Sequence, residues 1–511
     1  TMPATTTSLP APLGGWNARD SLAEMSPTDA VQMTNFFPTP SDVTLRKGYS
    51  KYSTGITGKV NTLMNYSSPT KQELFAIAGS TLYLADGAPA VAKVTGLSND
   101  KWQHTSISTP GGHFLVACNG VDLPIIYDGT SWMKMASTIT AQTISSITHV
   151  GAVATVTTAS AHGLVTGNSI TISGATPSDY NGTYVVTVTG TTTFTYTMAT
   201  TPASNATTVG SYVVNYGVSG VDPKTFVHVN LFKNQLYFVQ VDSMLAWYLP
   251  TFSLGGAAQK LDFGSVARNG GYLQAMGTWT IDAGQGADDY AVWATNMGEV
   301  IVYNGTDPSS PTTWALKGVW QFGFVFARRC FYKFAGDLLL LSQDGLVPLA
   351  SALQSSRLDP RVNLTDKIYY AVSQAADNYS NNFGWQAIYF AKPNMLVLNI
   401  PIDGGTQQYV MHTITKSWAN FTGIDANCFE LHEDNLYFGG TGFVGHFWNT
   451  DSDAGTNING YVQQAYSYFD SRGQQKRFTM VRPILITANG IPTVLCGINV
   501  DFDTQNQLNQ I

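Results

Sequence analysis

The chain alternates apolar and polar residues over short runs, and most runs end at Gly, Asn or Asp. Seven stretches repeat one motif: a β-forming run, a tight turn, then a second run that carries Tyr and is often closed by Trp. They are ELFAIAGSTLYLADG (Glu73–Gly87), GHFLVACNGVDLPIIYDGTSW (Gly112–Trp132), LFKNQLYFVQVDSMLAWYLP (Leu231–Pro250), DYAVWATNMGEVIVYNGTDP (Asp289–Pro308), CFYKFAGDLLLLSQDGLVPL (Cys330–Leu349), WQAIYFAKPNMLVLNIP (Trp385–Pro401) and NCFELHEDNLYFGGTGFVGHFW (Asn427–Trp448). Such runs around such turns predict hairpins. Sheet repeats every ~40–50 residues predict a β-propeller, each blade being about four strands. With an insert set aside, roughly 310 residues lie between Val60 and Trp448, which at ~45 per blade gives about seven blades, with six to eight allowed. The expected fold class is all-β. A β-sandwich array is the other reading of the same pattern.

The insert interrupts the repeat over residues 137–216, leaving propeller segments 60–136 and 217–450. Its centre, Ser145–Ser204, has almost no charge and reads as six β-runs separated by HGLVTGN, SGATPSDYNG and TGTT. It is expected to be a self-contained small β-barrel domain. AHGLVTGNSITISGA and YNGTYVVT within it resemble a module first described in ubiquitin-activating enzymes and frequent as an insert in phage structural proteins. No nucleotide loop or catalytic cysteine accompanies it. His162, in the HGL turn, is read as a turn residue, since a lone His without partners rarely binds metal.

Residues 1–59 and 451–511 fall outside the repeat. In SPTDAVQM, Ser26 suits an N-cap, Pro27 the first helical position and Asp29 the first turn, so a short helix is expected over Ser26–Met33. So short a helix must dock on something. NFFPTP then stops it, with Pro38 and Pro40 holding the chain extended.

Composition narrows the function classes. Hydrophobic residues are 44% and aromatic residues 12%, with 48 Gly. Charged residues are only 12%, about half the usual share. A surface covered by Thr, Ser, Asn and Gln is read as partly covered by other subunits. The net charge of −7 argues against a nucleic-acid binder with a basic face. Cys118, Cys330, Cys428 and Cys496 share no metal spacing and are expected to be free thiols made in a reducing cell. No run reaches the ~18 apolar residues of a transmembrane helix, and the N-terminal stretch lacks the basic and apolar regions of a secretory signal. The enzyme alternative is a propeller glycosidase, which needs two carboxylates. Its candidates, Asp288–Asp289, Glu299, Asp307 and Glu433–Asp434, belong to no recognisable motif. DAGQGADD (Asp282–Asp289) lacks the Lys and helix of a phosphate loop and the spacing of an EF-hand. A receptor- or carbohydrate-binding tail protein, using surface Trp and Tyr, is the remaining alternative.

GGWNARDSLAEMSPTDAVQMTNFFPTPSDVTLRKGY, from Gly14 to Tyr49, and YVQQAYSYFDSRGQQKRFTMVRP (Tyr461–Pro483) resemble the N-terminal and C-terminal signatures of the nozzle or stabilisation (tail accessory) proteins of short-tailed bacteriophages. The resemblance implies a β-propeller structural protein without cofactor or catalytic activity. It also implies a homo-hexameric ring below the portal and the adaptor (head-to-tail connector) protein, in a virion tail made in the host bacterial cytoplasm. Genomic DNA would pass through the ring without specific binding, and tail fibres or spikes could attach. A net-acidic or neutral lumen would let DNA slide, because phosphate contacts by Lys and Arg create affinity. Aromatics and Arg are enriched at interfaces. The subunit-contact candidates are therefore Trp16, Arg19, Asp20, Phe36, Phe37 and Arg46 at one end and Tyr466, Tyr468, Phe469, Arg472, Arg477 and Arg482 at the other. The competing reading is intramolecular: the C-terminal stretch supplies a closing strand and the N-terminal helix plugs the propeller rim.

Overall fold

The computed structural model of the chain describes residues 6–135, 141–164, 166–282, 287–352, 360–487, 492–504 and 509–510. The seven hairpin stretches fall in seven separate antiparallel meanders. Blade 1 uses the second half of the strand Gly48–Ser67, then Gln72–Ala78, Thr81–Leu84 and Val91–Thr95. Blade 2 runs Gln103–Thr109, Gly112–Cys118, Ile125–Tyr127 and Trp132–Lys134; blade 3 runs Phe226–Phe232, Gln235–Gln240, Leu245–Tyr248 and Gln259–Asp262. Blade 4 is Leu273–Asp282, Ala287–Thr295, Glu299–Gly305 and Trp314–Gln321. Blade 5 has three strands among the described residues, Phe331–Phe334, Asp337–Ser342 and Gly345–Pro348. Blade 6 is Gln386–Phe390, Met395–Ile402, Gly405–His412 and Ser417–Phe421, and blade 7 is Phe429–His432, Asn435–Gly439 and Thr441–Thr450.

The first strand of each blade packs against the first strand of the next, and that of blade 7 against that of blade 1. This cycle makes the chain a closed seven-bladed β-propeller. Blades stacked face to face bury their middle strands on both sides, so these strands read as continuous apolar runs instead of alternating ones. Leu338–Leu341 in blade 5 and Met395–Ile400 in blade 6 are buried throughout.

Ring closure uses both ends of the repeat region. Gly48–Ser67 is one strand of 20 residues that serves two blades. Its first half pairs antiparallel with Thr441–Thr450, Tyr49 opposite Phe447, and completes blade 7. Its second half pairs with Gln72–Ala78, Leu63 opposite Ala76, and opens blade 1. In blade 5, a turn takes the place of the fourth strand. The Leu346 N–H donates to Thr365 Oγ1 at 3.1 Å, and its carbonyl accepts from the Leu364 N–H at 3.0 Å. That turn leads into the helix Tyr369–Tyr379, which the sequence reading did not anticipate.

The expected helix over Ser26–Met33 is instead a strand, Asp29–Thr34. It pairs parallel with Gly15–Trp16 and antiparallel with Tyr461–Gln464, and the three widen blade 6 to seven strands. The Ser26–Pro27 pair read as a helix start forms a turn instead, the Asp29 N–H donating to the Ser26 carbonyl at 2.9 Å, and turns use the same residue types as N-caps. A bulge between Ala30 and Gln32 then lets Ala30 and Met33, three apart, both enter the core with Phe37, Val410 and Phe421.

The insert folds as two four-stranded antiparallel sheets between Gln142 and Val214, facing one buried cluster of its own that includes Ile147, Ile170, Phe194 and Tyr212. Its entry and exit strands pair, Gln142 with Tyr212. It rests on the first hairpin turn of blade 2, where Gly111 and Gly163 meet backbone to backbone: a Cβ on Gly111 would lie 2.5 Å from the Gly163 carbonyl oxygen. His162 is held in its turn, its Nε2 3.0 Å from the Gly190 carbonyl oxygen and its Nδ1 accepting from the Leu164 N–H.

Candidate assembly surface

Two groups of side chains stand out beyond the blades: a lock that fastens the N-terminal arm, and a C-terminal segment that leaves the body. The arm comes first in the chain. Gly15 has φ +74° and sits so close to blade 6 that a Cβ would lie 2.5 Å from the Trp418 carbonyl oxygen, which glycine alone relieves. This close approach lets Trp16 set its ring edge-on to Tyr409, centroids 5.0 Å apart. Asp29, at the start of the next strand, accepts from Lys367 Nζ at 2.6 Å and from Asn17 Nδ2 at 2.8 Å. Arg19 is exposed and bridges Asp20 and Asp366. The Arg19 guanidinium, helped by Asn17, holds the Asp20 carboxyl below its usual range.

Further along, Phe36 and Phe37 form a short strand paired with Val43–Leu45. Phe37 is 2% exposed and packs edge-on against Phe421 at 6.1 Å and Trp448 at 5.5 Å. Phe36 is half-buried over Gly460. Arg46 is buried, and every arm of its guanidinium is used. Nε donates to Asn35 Oδ1 at 2.9 Å, and Nη1 to Asp453 Oδ1 at 2.8 Å and the Lys47 carbonyl at 3.0 Å. Nη2 donates to Asp453 Oδ2 at 2.5 Å and the Thr422 carbonyl at 2.7 Å. Phe37 and Arg46, expected among the subunit contacts, are therefore packed inside the chain, where they tie the arm to blade 6 and to the segment after blade 7.

The C-terminal candidates divide differently. Tyr466 and Tyr468 gather around Phe502, at 5.1 and 6.3 Å, and Phe469 meets Phe478 at 5.5 Å. Arg472 lies over the Tyr468 ring at 4.5 Å and pairs with Glu24 at 3.5 Å, both side chains well exposed. Arg477 and Arg482 are exposed and form no ion pair among the described residues. Between and beyond them runs FTMVRPILI, whose Phe478, Met480, Val481, Ile484, Leu485 and Ile486 are all exposed, Ile484 by 88% and Ile486 by 98%. Residue type pointed to the arginines and not to these apolar neighbours, although six of the nine residues from Phe478 to Ile486 are apolar.

The propeller axis is crossed by side chains. Arg329, just before blade 5, sends Nη2 to the Asn61 carbonyl in blade 1 at 3.1 Å and the Trp102 carbonyl at the start of blade 2 at 3.3 Å. Its guanidinium and the Lys101 ammonium both lie over the Phe383 ring, at 5.1 and 5.2 Å. His104 in blade 2 meets Glu430 in blade 7 at 3.5 Å. Burial draws the Arg329 pKa down from its usual value.

Of the carboxylates weighed for glycoside chemistry, Asp289 pairs with Lys233, Glu299 accepts from the Arg268 and Asn269 N–H groups, and Asp307 accepts from the Ser309 N–H and hydroxyl. Glu433 and Asp434 stand at a hairpin turn, and the Asp288 side chain lies outside those described. Residues 283–286 of DAGQGADD lie outside the described residues. Among the described residues, no three His, Cys, Asp or Glu side chains come together as a metal site would require.

No protein-family model matches the chain, and no curated protein does. Solved structures with a similar outline include YCF48 from Cyanidioschyzon merolae (11% identity, 81% of this chain and 97% of that one, TM-score 0.26). Others are the phage phi92 endosialidase (13%, 90% and 76%, TM-score 0.31) and the Cps50 (Swd1) β-propeller domain of Myceliophteria thermophila (10%, 79% and 100%, TM-score 0.30). At these scores none of them bears on what this chain does.

Proposed function

We propose that the chain is a structural protein of a short-tailed phage tail, one copy of a homo-hexameric ring that forms the distal tube below the adaptor. The observation that carries this reading is the C-terminal segment. The propeller closes without it, and it offers a basic, apolar, unburied run of the kind that interfaces cover. The resemblance of the terminal stretches to nozzle proteins supplies the setting. In this reading the propeller is a rigid block with no catalytic role and no cofactor. The axis of each propeller is filled by Arg329, Phe383, His104 and Glu430, so DNA runs between copies, along the axis of the ring. A net-acidic protein gives phosphates little to hold. Antibody raised against the purified chain tests the placement: it should label the distal end of the tail in short-tailed virions that contain the chain. Label on the capsid, or absence of the chain from purified virions, would overturn it.

A further inference from the structure

The root of the C-terminal segment belongs to its own subunit. Tyr461–Gln464 pairs with Asp29–Thr34, the Ala465 N–H donates to the Asp29 carbonyl at 3.0 Å, and Gln464 Nε2 reaches the Pro10 carbonyl at 2.8 Å. That strand ends the seven-stranded sheet of blade 6, so the segment leaves from the rim. Local contacts then bend it: Arg472 on Tyr468, Lys476 Nζ on the Ser471 carbonyl, Phe478 on Phe469. Among the described residues, Met480, Val481, Ile484, Leu485 and Ile486 past this bend all stay exposed. No buried cluster of the described residues contains a residue beyond Trp448.

We propose that Phe478–Ile486 docks on the body of a second copy of this chain, each copy donating its segment to the next. This deepens the assembly reading above and rests on it, though not on its phage setting. Two observations favour a second copy. The first is exposure: six apolar side chains in nine residues are exposed, Ile484 by 88% and Ile486 by 98%, a run of the kind that subunit interfaces cover. The second is charge. The segment from Arg472 to Thr487 carries Arg472, Lys476, Arg477 and Arg482 and no acid. Of 26 basic and 33 acidic residues, four and three lie from Tyr461 onward, so the body before it holds 22 against 30, a net −8. A basic donor segment and an acidic body in one chain are complementary between copies. Such a donor contact is head-to-tail, and it makes a ring where the rotation between copies closes.

The test is sedimentation velocity on the full chain and on the full-length variant Ile484→Asp/Ile486→Asp. The wild type is expected to assemble at micromolar concentration. The variant should need about a hundredfold more protein or more, since two central apolar anchors become charges, while its melting temperature equals that of wild type at a dilution where both are monomeric. Ile484→Val/Ile486→Val should assemble like wild type. Equal assembly by wild type and the Asp variant overturns the docking of this segment but leaves the assembly reading standing. A wild type that is monomeric at every concentration overturns both. A lowered melting temperature in the Asp variant at a dilution where both proteins are monomeric also overturns the proposal, because the two side chains would then be packed in their own subunit. So does a monomeric wild type that binds vesicles of anionic lipid, which would make a membrane the occupant.

Discussion

Arg46 sits two residues before the strand that closes the propeller, and replacing it tests how the ring is held. Its side chain has no exposed surface, and Asp453 is 11% exposed. The pair is bidentate, and Asn35, Lys47 and Thr422 take the remaining donors. Arg46→Ala leaves a buried carboxylate, two carbonyls and an amide oxygen short of partners. Breaking a buried pair by removing one side costs about 3–5 kcal/mol. At ~1.4 kcal/mol per factor of ten, the folded-to-unfolded ratio falls by a factor of about 10² to 10³ or more. Removing both charges in Arg46→Met/Asp453→Leu should cost less than the single change, because no charge is left unpaired. Urea unfolding followed by tryptophan fluorescence measures both, and limited proteolysis shows whether Gly48–Lys59 has come loose from blade 7. A loss below about 1 kcal/mol for Arg46→Ala, the size of an exposed ion pair, would refute the lock.

Acid should weaken the protein through His228. Burial first, then Arg328 and His104, holds its pKa down at about 3, and its Nδ1 lies 3.5 Å from the Met276 N–H as an acceptor. A folded pKa below the unfolded ~6.5 means this stability is complete above pH 6.5 and lost as pH falls toward 3, at up to about 1.4 kcal/mol per pH unit. His228→Gln should flatten that acid limb in urea titrations between pH 7 and 4, and an unchanged slope would contradict the assignment. Burial raises the thiols of Cys118, Cys330 and Cys428, the latter two to about 12, so Ellman's reagent should find only the half-buried Cys496 in the native protein and four thiols after denaturation. Replacing residues 142–214 by a short linker should leave a soluble chain with one cooperative melt, since the insert has its own core and paired ends; an insoluble product would make the insert part of the ring.

The propeller was legible because each of its hairpins carries its own turn chemistry and apolar runs, and every one of the seven quoted stretches lies in its own blade. Blade 5 hid its departure from the pattern, since a turn at Leu364–Thr365 replaces a strand through two hydrogen bonds that leave no periodic trace. Ser26–Met33 looks like a helix start because Ser, Pro and Asp serve turns as well as N-caps; here they make a turn closed by the Asp29 N–H on the Ser26 carbonyl. At the terminal sites, residue type identified interaction groups without saying which subunit they serve. Arg46 and Phe37 look like interface residues because buried arginines and aromatics perform the same task within a chain as between chains. Burial separates them from Arg477 and Arg482, and burial depends on the tertiary fold.

The most direct test of the central claim is cryo-electron microscopy of the purified full-length chain at micromolar concentration. The account predicts closed rings of identical seven-bladed subunits around an open common axis, each propeller's own axis filled and each C-terminal segment lying on the neighbouring copy. Discrete single propellers at all concentrations, or rings in which the segment folds back on its own subunit, would contradict it.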